Sequence, residues 1–167
     1  MAHCICATHF IAMTRPILPR LVFDTNVVLD MLHFTEPSAQ FLLAAVQEKT
    51  CECFYQDKTF AELQRVLNYP RLRIAVDKQQ AISCAYQEIA TAIDSNDPSL
   101  PALPPLPCCR DRDDQMFLQL AALARADVLV SKDNDLLRLA KRKTLVFRIL
   151  TPSAAATWLK HAAVKAK

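Results

Sequence analysis

The chain has 167 residues, of which 52% are hydrophobic and 22% charged, and its net charge is +3. That suits one domain with a sizeable core, is too apolar for a disordered chain, and contains no apolar run of the ~18 residues that a membrane span needs. The mild positive charge permits an anionic partner without requiring one.

The first twelve residues, "MAHCICATHFIA", lack a basic region and a full apolar segment, so they do not read as a secretory signal. His3, Cys4, Cys6 and His9 are zinc-type ligands, but their spacing is tight and no second pair follows. Residues 1–19 are expected to be a disordered extension, with Met13 as an alternative start. Residues 21–25 read as a strand, and "PSAQFLLAAVQE", 37–48, as a helix by its apolar spacing. "CECFY", 51–55, is a short strand, and "DKTFAELQRVLNY", 57–69, a helix stopped by Pro70. Thr59 followed by Glu62 fits a capping box. A further helix is predicted over 78–93. The proline-rich "DSNDPSLPALPPLP" then reads as an extended surface connection. A helix from about Asp113 to Arg125, a strand at 127–131, a short helix at 135–142, a strand at 145–150 and a helix from near Pro152 complete the order. Strands alternating with helices predict an α/β domain over 20–160 with a mainly parallel sheet, leaving a tail at 161–167.

Two counts narrow the chemistry. Glycine is absent, so neither a dinucleotide-binding turn nor a P-loop is built in the usual way. The seven cysteines form no framework and read as reduced thiols of a cytoplasmic protein. Function in a parallel sheet gathers outside the carboxyl ends of its strands, and there the chain places acids. Asp24 closes the first strand, Glu62 lies in the helix after the second, Asp111, Asp113 and Asp114 open a long helix, and Asp133 and Asp135 follow the 127–131 strand. Each alone has an ordinary explanation as a cap or a dipole partner. Together they would repel one another, and a divalent cation resolves that.

"VFDTNVVLD", "FAELQRVL", "CRDRDDQMFLQLA" and "ADVLVSKDNDLL" resemble, in order, the four signature segments of the PIN-domain family. "RILTPSAAATWL" resembles the C-terminal segment of its branch of toxin components from bacterial toxin–antitoxin pairs. The resemblance implies a three-layer α/β/α sandwich and a ribonuclease dependent on Mg²⁺ or Mn²⁺. It implies a homodimer silenced by a cognate antitoxin.

Carried over by residue, Asp24, Glu62, Asp114 and Asp133 would be the metal-holding catalytic acids. Asn26 would orient the site by hydrogen bonding, and Ser131 stands where the family often has Thr. Asp111 and Asp135 are supporting candidates. Arg112 and Lys132 depart from the branch's pattern, which often has proline and a small residue there, but neither removes an acid. Lys132, Arg65 and Arg138 are the first candidates for RNA phosphate contacts, with Arg71, Arg73, Lys141, Arg142 and Lys143 behind them. A rival reading from another class is a PIN-like RNA- or protein-binding module without cleavage. A phosphatase with an Asp nucleophile wants a second Asp where Asn26 stands, and a phospho-receiver wants an acidic pair and a late lysine that are not seen.

Overall fold

The computed structural model describes residues 18–98, 100 and 102–165. The sequence expectations for residues 1–17, the zinc-type residues and Met13 included, lie outside the described residues. Strand β1 is Arg20–Phe23. It leads through Asp24 into helix α1, Thr25–Leu29, which widens into a π-helical turn over Asp30–Phe34. Helix α2 is Pro37–Gln47, strand β2 Glu52–Tyr55, helix α3 Asp57–Leu67, helix α4 Val76–Ile89 and strand β3 Thr91–Ala92. Helix α5, Gln115–Leu123, strand β4, Val128–Val130, helix α6, Asn134–Leu139, strand β5, Arg148–Leu150, and helix α7, Pro152–Lys165, complete it.

The five strands form one parallel sheet in the order β3-β2-β1-β4-β5. The chain steps outward from β1 through β2 to β3, then returns to the other side of β1. The switch in direction therefore falls between β1 and β4, where open α/β sheets hold their ligands.

Alternation along the strands sorts the core into two halves, as the period of a strand requires. Leu21, Phe23, Cys53, Val128 and Val130 face one side, in a cluster with residues of α1, α2, α3, α4 and α7. Val22, Phe54, Leu129 and Ile149 face the other, with Phe117, Leu120 and Leu136 from α5 and α6. Helices thus cover both faces, giving three layers. Each fully buried Leu or Phe contributes about 1.5–3 kcal/mol.

Four sequence readings change in detail. The α3 cap is Gln56, whose backbone N–H donates to the Thr59 hydroxyl at 3.1 Å. Thr59 therefore lies inside the helix, and Glu62 plays no part in capping. Helix α4 ends at Ile89 rather than running to residue 93, because Ala90 turns extended and Thr91 and Ala92 pair with Phe54 and Tyr55. Sheet pairing overrides a helical pattern there. The helix expected over 135–142 stops at Leu139. Helix α7 continues to Lys165, so most of the expected tail is helical.

The absence of glycine leaves a mark at helix ends. Thr35, Lys49, Arg73 and Arg125 all take the left-handed conformation. After α2, Lys49 N–H donates to Val46 O and Thr50 N–H to Ala45 O, both at 3.0 Å. After α5, Arg125 N–H reaches Ala122 O and Ala126 N–H reaches Ala121 O. Both are Schellman closures, in which glycine is the usual occupant.

Candidate functional site

The register of β1 on β4 sets two strand ends side by side. Phe23 pairs with Val130, and the Asp24 backbone N–H donates to Val130 O at 3.0 Å. Asp24 is 3% exposed. Its side chain caps α1, accepting from the Asn26 backbone N–H at 2.6 Å, and its second oxygen accepts from the Ser131 hydroxyl. That hydroxyl, fully buried, also accepts from the Asp133 backbone N–H at 2.9 Å. Asp133 in turn caps α6 by accepting from Asp135 N–H at 2.6 Å. The ordinary capping roles are therefore present, and they fix the direction of both carboxylates. Asn26 contributes through its backbone amide; its side chain is exposed.

Burial holds the Asp24 carboxyl above the usual carboxylate range, and the Asp133 charge adds to it. Asp114, at the start of α5, is pushed up to about 7 by burial and then by Asp133, Asp24, Asp111 and Asp135. Three segments thus bring carboxylates within electrostatic reach of one another: the end of β1, the start of α5 and the end of β4.

Glu62 has a partner of its own. It is held by Arg65 through two hydrogen bonds, of 2.7 and 2.9 Å. Arg65 also lies 3.8 Å from Asp113 and beside the Tyr69 ring. Glu62, Arg65, Lys58, Arg112 and Asp113 line an open groove of about 730 Å³ between α3 and α5. Arg138 is paired with Asp135 at 2.7 Å.

Sequence reading gave Asp30 no role and left Lys132 unpartnered. Asp30 is 5% exposed, and Lys132 Nζ lies 2.5 Å from its Oδ2, an ion pair outside hydrogen-bond angles. The signal was present: an acid between "VVL" and "ML" in an apolar helical run needs a cation. Its partner sits 102 residues later, as the difference between positions 132 and 30. Burial pushes the Cys51 and Cys53 thiols up to about 12, so neither offers a nucleophilic thiolate near neutrality.

A family model described as PIN domain matches residues 20–135. The chain belongs to the PIN domain family. No curated protein matches it. PIN domains are generally nucleases that use divalent metal ions. The match spans every acid of this PIN domain discussed above and ends before the "RILTPSAAATWL" segment.

Among the described residues, no three His, Cys, Asp or Glu side chains converge tightly enough to hold a metal ion as they stand. The donor set nevertheless fits a hard divalent cation. It is all carboxylate oxygen, the donor class suited to Mg²⁺ or Mn²⁺. The mutual repulsion that raises Asp114 is what such a cation offsets. No helix among the described residues is long and apolar enough to cross a membrane.

Proposed function

We propose that this PIN domain is a Mg²⁺- or Mn²⁺-dependent endoribonuclease and the toxin component of a toxin–antitoxin pair. The observation that carries the reading is the β1–β4 seam, where the Ser131 hydroxyl links Asp24 to Asp133 and both charges act on Asp114 at the start of α5. Asp24, Asp114 and Asp133 would hold the ion, with Glu62 joining them and Asp111 and Asp135 supporting from outside. A bound ion supplies a water of lowered pKa and charge opposite the phosphodiester. Ser131 and the Asn26 amide keep Asp24 oriented toward it. Arg65, Lys132 and Arg138 would meet RNA phosphates, and Arg65 on doing so releases Glu62. The resemblance of "RILTPSAAATWL" supports the toxin branch, and with it a cognate antitoxin, a homodimer and a cytoplasmic setting.

One observation favours a second reading, a PIN-like RNA- or protein-binding module without cleavage. Glu62 is turned to Arg65, and among the described residues no three donors converge. The experiment is cleavage of mixed RNA by purified protein with Mg²⁺, Mn²⁺ or EDTA. Metal-dependent fragments that vanish in EDTA are expected. RNA bound but intact under every condition would favour the binding module.

A further inference from the structure

The groove of about 730 Å³ between α3 and α5 has two regular walls. Lys58, Ala61, Glu62 and Arg65 line it from α3, at the i, i+3, i+4, i+7 spacing of one helix face. Arg112, Gln115, Met116 and Gln119 repeat that spacing on the other wall, from the turn before α5 into the helix. Arg65 and Asp113, 3.8 Å apart, bring the two walls together at one end. Lys58 lies seven residues back along α3, about 10 Å from Arg65 at the rise of an α-helix.

The charges lining the groove do not cancel. Both of its carboxylates, Glu62 and Asp113, are taken up by Arg65. Lys58 and Arg112 are exposed, and among the described residues neither has an ion-pair partner. Arg112 is carried on a fixed turn. Its carbonyl accepts from Gln115 N–H at 3.3 Å, and the Gln115 side chain accepts from Cys109 N–H at 2.7 Å and donates to Pro107 O at 3.3 Å. Between the cations, Ala61 and Met116 add apolar surface, Met116 packed against the core beneath α5. Separated cations with apolar surface between them suit a ligand of repeated charge and flat apolar faces, which is a nucleic-acid strand. A double helix, whose major groove alone is about 12 Å wide, is too broad to enter between two neighbouring helices.

We propose that this groove seats single-stranded RNA, with Lys58 and Arg112 each neutralising one backbone phosphate of the strand that leads away from Glu62. This rests on the reading of RNA as substrate and adds the path of the strand.

The test is fluorescence anisotropy of a short labelled single-stranded RNA, and of the duplex of the same sequence, on the full chain in EDTA at about 50 to about 200 mM salt. For single strands the logarithm of affinity falls with that of salt with a slope of about −0.7 per neutralised phosphate. Arg112→Gln and Lys58→Gln are each expected to reduce the steepness by about 0.7, and the double variant by about 1.4. Arg112→Lys, and Lys160→Gln on α7, should keep the wild-type slope. Both groove cations are exposed, so the variants are expected to melt as the wild type does. Unchanged slopes in Arg112→Gln and Lys58→Gln overturn the proposal, as does a duplex bound as tightly as the single strand. A polyglutamate peptide is titrated alongside. Peptide binding lost in Arg112→Gln while the RNA slope stays put assigns the groove to an acidic protein segment and overturns the proposal. RNA cut in Mn²⁺ with unshifted slopes removes the groove and leaves the nuclease. Shifted slopes with RNA left uncut keep the groove and remove the nuclease.

Discussion

The Ser131 hydroxyl donates to Asp24 across the β1–β4 seam. That one buried side chain also receives the Asp133 amide, so it sets the spacing of two acids that would otherwise repel. Outer partners of this kind typically change metal affinity or activity by about 10–100-fold when removed. Ser131→Ala is expected to lower Mn²⁺ affinity by that order, and Ser131→Thr, which retains the hydroxyl, to lower it far less. Calorimetric titration of both variants decides it. Equal affinity in wild type and Ser131→Ala would show that Asp24 needs no such restraint.

Asp24 has two separable roles. Asn caps a helix about as well as Asp, so Asp24→Asn should preserve the start of α1. The same change removes a full negative charge from a buried cluster at nearly constant shape. RNA cleavage is expected to fall by at least about 100-fold, while the melting temperature in EDTA stays level or rises. Cleavage at the wild-type rate would remove Asp24 from the metal site.

Asp114 makes the metal-free protein sensitive to pH. Its folded-state value of about 7 lies above its ordinary value of 3.8. The protonated form is therefore favoured by the fold, and the associated stability is present at low pH and lost as pH rises through about 7. In EDTA the melting temperature should fall between about pH 4 and pH 7, and Asp114→Asn should flatten that part of the slope. With Mn²⁺ present the metal competes with the proton, so the gain on adding metal should grow over the same interval. A pH-independent gain would contradict this placement of Asp114.

Arg125 holds a left-handed φ of 47° at the Schellman closure of α5. A left-handed residue with a Cβ costs roughly 1–2 kcal/mol relative to its right-handed form. Glycine avoids that cost but loosens the unfolded chain. Arg125→Gly is therefore expected to stabilise by up to about 1 kcal/mol, or about 2–4 °C in melting temperature. Thermal melting checks it, and destabilisation would mean that the Arg125 side chain contributes more than its backbone costs.

What the residues alone determined was local and periodic. Short apolar runs located four of the five strands, acids at strand ends located the candidate site, and their order along the chain indicated the family. Five prolines from Pro98 through Pro107 marked an extended connection that is neither helix nor central strand. Tertiary structure decided what depends on distant partners. Residues 91–92 became strand because β2 offered unpaired backbone groups. Ser131, Asp24 and Asp133 were joined by the register of β1 on β4. Lys132 ceased to be a solvated loop lysine because the fold set it against Asp30. Glu62 was paired with Arg65, one turn along the same helix face. Periodicity reports which face a side chain occupies. Only the packed sheet brings charges from separate segments within a few ångströms, where Coulomb energy decides which carboxylate is paired and which is left for a cation.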